Sequence, residues 1–383
     1  MTKPVLTLFL TENMSLKEWD RLGLLNREMA IYVKLMDVFS IQIFSYGNVG
    51  DLAYEKSYSD LKVLIIPYYK KNLTLKNRWH LFKAESSLRK SAILKTNQIK
   101  GADKAVYYSK KYDIPLVTRC GYLLSTFTER QTKDNSELKK VLFKEKEAFN
   151  QARFGITSSE RDREFVIKTH GISSQKMITV PNYVDQDVFS KIKFDTCTES
   201  NKLDKQENKR VVLFIGRLND QKNLFSLIDA YNLSEYANKL IIIGQGEDLN
   251  KLEKKASFLS KSVEFVGPIP NNKLPFYLKQ ANVFILPSLY EGLPKTLLEA
   301  MSCGVPCIGT DVEGIQEVIT NGKDGVLCAT DFKSIANALD LVLSDSELAN
   351  ELGNQAHLTI KEKYSLEKVL EIEKSIYKRI LNS

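Results

Sequence analysis

Glu291 and Glu299 frame a helix start in the run Leu286-Pro-Ser-Leu-Tyr-Glu-Gly-Leu-Pro-Lys-Thr-Leu-Leu-Glu-Ala-Met301. A carboxylate offers two acceptor oxygens and can hold the vicinal hydroxyls of a ribose or a hexose, while the free N–H groups of a helix start favour an anion. Together they suit a site for a sugar nucleotide. The elements that position them lie in the same stretch. Ala281 to Leu286 is a short apolar run rich in β-branched and aromatic residues and reads as a buried strand, broken into a loop by Pro287, Ser288 and Gly292. Pro294 fits the first helical position, where a missing N–H costs nothing. Glu291 then sits at the carboxyl end of a strand and Glu299 about a turn and a half along the following helix. Ligands of open α/β sheets bind there. Taken alone, the same pair also reads as two solvated surface residues.

Two basic residues sharpen the reading. Arg217 directly follows the strand Val211 to Ile215, and Lys222 opens the next helix, with Asn219 or Asp220 as its expected N-cap. At a strand end, beside free N–H groups, the pair can neutralise a diphosphate. Gly244-Gln245-Gly246 invites a dinucleotide reading, but Leu249 stands where a third glycine belongs and no acidic residue at the right spacing follows a strand. Asp185-Gln186-Asp187 resembles paired metal-binding acids, yet it sits in a turn after Val180-Pro181-Asn182, where capping is the simpler role. Cys303 and Cys307 flank Gly304-Val305-Pro306, a turn into the strand Val305 to Ile308, with no second ligand pair for zinc. No metal site and no resident cofactor are expected.

Size and charge bound the remaining possibilities. A chain of 383 residues suits two domains. No window approaches a membrane span, and the first apolar run, Val5 to Leu10, is too short for a signal-peptide core. Five unpaired cysteines read as reduced cytosolic thiols. Residues 1–190 carry 31 Lys and Arg against 21 Asp and Glu, whereas the rest carry 24 against 26, so the front half is expected to meet something anionic. The densest patch, residues 68–95, interleaves Lys70, Lys71, Lys76 and Arg78 with Tyr68, Tyr69, Trp79 and Phe82. A helix resting on an anionic bilayer is built this way, and so is a solvated helix with a few core contacts. No nucleic-acid module accompanies the charge.

Strand-like and helix-like runs alternate throughout, the pattern of parallel sheets wrapped by helices. In the front half the expected strands are Val5 to Leu10, Ser40 to Phe44, Val63 to Ile66, Leu116 to Arg119, Gly155 to Ser158 and Met177 to Val180, with a helix over Leu24 to Met36. A polar linker over Thr196 to Lys209 precedes a second α/β series, with strands at Val211 to Ile215, Leu240 to Ile243, Val263 to Val266, Val283 to Leu286, Val305 to Ile308 and Val326 to Cys328. The expected division is 1–195 and 205–364, with a last helix in 365–383 crossing back to the first domain.

The ordered series over most of residues 150–330 resembles the retaining glycosyltransferases of family four. It comprises Val180-Pro181-Asn182 with Val184-Asp185 and Phe189, Gly216-Arg217-Leu218 with Gln221-Lys222-Asn223, Gly244-x-Gly246 and Val266-Gly267. It continues through Leu286-Pro287-Ser288, Glu291-Gly292, Glu299-Ala300-Met301, Cys303-Gly304-x-Pro306, Gly314, Glu317, Gly322 and Gly325. The resemblance implies a GT-B fold, two Rossmann-like domains facing across a cleft, and metal-independent transfer with retention from a UDP- or GDP-sugar to a glycan or lipid-linked acceptor, as in cell-surface polysaccharide assembly. Arg217 and Lys222 would hold the donor diphosphate, Glu299 the ribose and Glu291 the transferred sugar. Main chain at Gly216, Gly246 and around Leu293, Pro294, Lys295 and Thr296 would approach sugar or phosphate. The front half departs from the family: Arg119-Cys120-Gly121-Tyr122 stands where a histidine is common, and Trp19 to Gly23 replaces a glycine-rich loop. Trp19, Gly23, Asn97, Arg119 and Tyr122 are the acceptor-side candidates. A cytoplasmic location, peripheral at the inner face of the plasma membrane, follows from this reading. The departures also leave room for a non-catalytic binding subunit of the same fold.

Overall fold

In a computed structural model of the chain, residues 3–58, 60–65, 75–131, 134–190 and 210–382 are described. Two compact units result: Met1–Pro181 with Val369–Ser383, and Asn182–Lys368.

The first unit holds seven strands: β1 (Val5–Phe9), β2 (Ser40–Ser45), β3 (Leu61–Ile65), β4 (Ile93–Thr96), β5 (Leu116–Cys120), β6 (Phe154–Thr157) and β7 (Met177–Thr179). Their order is β3-β2-β1-β4-β5-β6-β7, all parallel. Parallel strands need crossover helices that cover both faces, so these strands are buried nearly throughout. On one face Phe9, Phe44, Leu94 and Leu116 meet Ala84, Ala105, Phe149 and Val166 of four helices. The other face takes the helix Leu25–Leu35 and the C-terminal helix Leu366–Leu381, where Tyr32 and Glu373 close around Lys95.

The second unit holds β8 (Val211–Ile215), β9 (Lys239–Ile243), β10 (Ser262–Gly267), β11 (Val283–Leu286), β12 (Cys307–Thr310) and β13 (Val326–Cys328). The order is β10-β9-β8-β11-β12-β13, again all parallel. The chain leaves β8 toward β9 and β10, then returns to place β11 on the other side of β8. The switch point therefore lies between the carboxyl ends of β8 and β11, where a doubly wound sheet opens a crevice.

Several expectations need correction. The units divide at Pro181–Asn182 rather than near residue 195, because the next residues are built into the second core: Asn182 Nδ2 donates to Leu293 O at 2.6 Å, Val184 bridges to Ser365, and Ser302 Oγ donates to Phe189 O at 2.7 Å. The linker Thr196 to Lys209 lies outside the described residues. So do residues 66–74, with the start of the basic segment. Strand β4 is absent from the expected series, and Lys95 falls inside it. That lysine is only 1% exposed and is neutralised by Glu373 from the far end of the chain. Strand β12 starts at Cys307, two residues later than expected, after the Val305-Pro306 turn. Neither Asn219 nor Asp220 caps the helix after β8. A 3-10 turn, Asp220–Lys222, intervenes, and the helix Leu224–Leu233 starts after Asn223, whose φ is 53°. Pro294 is the N-cap of the helix Lys295–Ser302 rather than its first residue.

Candidate functional site

The intervening 3-10 turn brings Lys222 across the switch point. Its Nζ pairs with Oε1 of Glu291, which also accepts from Ser288 Oγ at 2.7 Å. Both side chains of the pair are nearly buried, 10% and 8% exposed. The loop after β11 is laced to that turn by main chain and amide alike. Leu289 N donates to Gln221 O at 2.8 Å, and Gln221 Nε2 donates to Tyr290 O at 2.9 Å. From the other side, Thr310 Oγ1 donates to Ser288 O. Glu291 is therefore held by its own loop, by a neighbouring strand and by the lysine facing it.

Glu299 lies in the helix Lys295–Ser302 and is 2% exposed. Asn271, in the turn after β10, donates from Nδ2 to its Oε1 at 2.8 Å. A carboxylate so deeply placed is retained at a cost in hydration unless its oxygens are engaged. Arg217 is exposed and has no hydrogen bond or ion pair among the described residues. Lys222 is already neutralised by Glu291, so of the two expected phosphate-binding bases Arg217 is the one with its charge uncommitted.

Glycine explains how closely these loops approach. A Cβ on Gly246 would stand 2.0 Å from Leu218 O, because Leu218 N donates to Gln245 O and Asp248 N to Leu218 O across the same gap. Gly246 thus serves loop-to-loop packing. A Cβ on Gly314 would stand 1.6 Å from Gly292 O, so the main chain beside Glu291 rests directly on the segment after β12. Gly216 donates its N–H to Ile243 O, and Leu293 O receives Asn182, so both positions are fixed by neighbouring chain. Lys295 and Thr296 begin the helix, with Pro294 before them.

In the first unit the candidates divide. Trp19 is 3% exposed, a core residue, and Gly23 closes the helix Leu16–Arg21: Gly23 N donates to Asp20 O and Leu24 N to Trp19 O, a helix-ending pair of bonds. Both therefore contribute to the scaffold of this unit. Asn97 stands at the switch point between β1 and β4 and donates from Nδ2 to Thr11 Oγ1 at 3.2 Å. Arg119, at the end of β5, is half-buried, and Tyr122 packs its ring against Phe127, centroids 4.9 Å apart and planes tilted by 53°.

Residues the sequence reading had not assigned roles are Ser288, Gln221, Asn182 and Asn271. The first three lie inside quoted motifs, whereas Asn271 carries no local signal at all. Asp185 accepts from Asp187 N at 3.0 Å, which is the capping role. Among the described residues no disulfide forms, and burial pushes the Cys303 and Cys328 thiols up to about 12.

Comparison with known proteins gives this geometry a context. Residues 195–359 match the family described as Glycosyl transferases group 1. The chain is 29% identical over 243 residues to the N-acetyl-alpha-D-glucosaminyl L-malate synthase of Bacillus anthracis, across 61% of this chain and 63% of that protein. It is 30% identical over 231 residues to the UDP-Gal:alpha-D-GlcNAc-diphosphoundecaprenol alpha-1,3-galactosyltransferase of Escherichia coli, across 58% and 59%. In both cases the chain spans less than two thirds of the relative's length. A solved structure of Anabaena Alr3699/HepE in complex with UDP superposes with a TM-score of 0.77 at 16% identity, over 98% of this chain and 100% of that one. The two parallel-sheet units have the GT-B fold, and it is residues 195–359, in the second of them, that match the glycosyl transferases group 1 family.

Proposed function

We propose that the chain is a retaining, metal-independent hexosyl-type glycosyltransferase that moves a sugar from a UDP- or GDP-sugar to a glycan or lipid-linked acceptor in cell-surface polysaccharide assembly. The observation that carries this reading is the Lys222–Glu291 pair, spanning the switch point beside Ser288. The galactosyltransferase named above has UDP-Gal and a diphosphoundecaprenol in its name, and HepE was solved with UDP, which supports a uridine donor first.

In this reading the bond between the anomeric carbon and the diphosphate breaks, and negative charge collects on the departing phosphate. Arg217, Lys222 and the N–H groups opening the helix Lys295–Ser302 stabilise that charge. An oxygen of the leaving phosphate takes the proton of the acceptor hydroxyl attacking from the same face. Configuration is kept and no protein base is required. The ion pair adds an order of events: sugar hydroxyls that engage Glu291 release Lys222 to the diphosphate. The active molecule works at the cytoplasmic face, and no helix among the described residues is long and apolar enough to cross a membrane.

The test is calorimetric titration with UDP and GDP on Arg217→Ala/Lys222→Ala. Diphosphate affinity falls by about two to four orders of magnitude, at about 1.5 to 3 kcal/mol for each of the two lost charged hydrogen bonds, and transfer falls with it. Unchanged binding and transfer in the double variant would end the proposal. Nucleotide binding by the native chain without transfer to any acceptor would instead favour a binding subunit.

Glu299 is assigned to the donor ribose, which makes a separate prediction. Glu299→Gln raises the donor KM about tenfold or more and leaves kcat within a few-fold, because the ribose contact is the same in ground and transition states. Asn271→Ala shifts KM in the same direction by less. Steady-state kinetics with varied donor read both, and a kcat loss at constant KM would overturn the assignment.

A further inference from the structure

One face of the first unit carries aromatic rings where a soluble helix would carry polar groups. The helices Leu75–Leu88, Ala102–Tyr112 and Asn135–Gln151 cover the same side of the sheet, and their inner residues share one core. They are also joined at the surface: Lys111 pairs with Glu85 at 3.3 Å, and Lys110 with Glu147 at 2.9 Å. Outward from these helices stand Phe82, 72% exposed, Tyr107, 53% exposed, and Phe143, 68% exposed.

The charges around Phe143 are mostly lysines, and the acid among them, Glu147, is paired with Lys110. Lys139, Lys140 and Lys146 stand three or four residues away on the same helix and Lys144 is adjacent; all four are exposed and none forms an ion pair among the described residues. Lys83 flanks Phe82, and Lys110 and Lys111 follow Tyr107. Of the acids on these helices Asp103 and Glu137 are exposed, while the part-exposed Glu85 and Glu147 are paired with Lys111 and Lys110. Phe82 and Lys83 further line a cavity of about 470 Å³ whose wall combines Val63 and Leu64 with Lys62 and Lys90.

We infer that this three-helix face is a docking surface for an anionic lipid bilayer. Charge complementarity selects the occupant: long lysine stems reach phosphate headgroups while the rings between them enter the interfacial layer. An acidic protein would pair with the lysines but would leave three rings on separate helices without a matching groove. Phe82 and Lys83 belong to the basic segment 68–95 of the sequence, Tyr107 and Phe143 do not, and the donor crevice lies in the second unit. A vesicle assay therefore tests it without reference to transfer.

The experiment is co-sedimentation of the full chain with phosphatidylglycerol vesicles and with neutral phosphatidylcholine vesicles, over a salt series. Binding to the anionic vesicles is expected, weakening as salt rises. Tyr107→Ser/Phe143→Ser and Lys139→Glu/Lys140→Glu/Lys144→Glu each lower it about tenfold or more, while far-ultraviolet circular dichroism and denaturant melts confirm that each variant remains folded. In Phe143→Trp, emission shifts to the blue on anionic vesicles only. No sedimentation with phosphatidylglycerol, equal sedimentation with phosphatidylcholine, or binding indifferent to the ring substitutions would each overturn the inference. Capture of an acidic protein by a chain that ignores vesicles would do the same.

Discussion

Glu291→Gln cuts sugar transfer by about 10²- to 10³-fold, the usual consequence of removing one group that engages the reacting centre, yet binds UDP at least as tightly as the native chain. The two effects part because of the ion pair across the switch point. In the native site Lys222 is neutralised by Glu291, and a diphosphate arriving without its sugar must compete with that carboxylate. Glutamine keeps the shape and the hydrogen bond from Ser288 but removes the competing charge. Lys222 is then available to phosphate from the outset. Titration with UDP and with the intact donor, beside single-turnover transfer, separates binding from chemistry. A parallel loss of UDP affinity and transfer would show instead that Glu291 organises Lys222 for phosphate rather than restraining it.

Lys95→Met destabilises the first unit by about 3 to 5 kcal/mol, the cost of leaving a buried charge without its partner. Lys95 Nζ donates to both oxygens of Glu373, at 2.8 and 2.7 Å, and Tyr377 Oη donates to the same carboxylate at 2.6 Å. Lys95, Glu373 and Tyr377 are 1%, 2% and 0% exposed. Burial works against the charge on Glu373, but Lys95 and the Tyr377 hydroxyl outweigh it and hold the carboxyl below its usual range. The triple variant Lys95→Met/Glu373→Leu/Tyr377→Phe removes every member of the network together and recovers most of the loss, since well-packed apolar replacements of buried ion pairs are often neutral or better. Denaturant melts of native, single and triple proteins measure this.

Acid adds a sign. A carboxyl whose pKa is depressed on folding contributes stability that is fully present above its unfolded pKa, about 4.3 for glutamate, and lost as pH falls through the folded value. The native protein loses this contribution below about pH 4.3, and the triple variant does not. Equal recovery failure in the triple variant at neutral pH would mean the cluster's shape, rather than its charge balance, holds the helix.

The second unit was the more legible half. Strands β8, β11 and β13 begin and end where the apolar runs do, because each run is short, β-branched and bounded by glycine, proline or polar residues. The pairing of Lys222 with Glu291 could be placed near a crevice from strand ends alone. Its direct contact could not, since it depends on a 3-10 turn that displaces the expected N-cap by several residues. Asn271 was beyond reach for a different reason: its partner, Glu299, is brought in by the sheet and not by the sequence neighbourhood. In the first unit a lysine inside a strand hid β4, because hydropathy cannot register a neutralising group 278 residues away.

The return of the last helix to the first sheet limits how this molecule can be dissected. A fragment cut at Pro181 would retain Lys95 in its interior and forfeit Glu373, so its hydrophobic heart would carry a stranded ammonium. Separate expression of the amino-terminal half therefore calls for the closing helix to be supplied with it, by fusion or by co-expression.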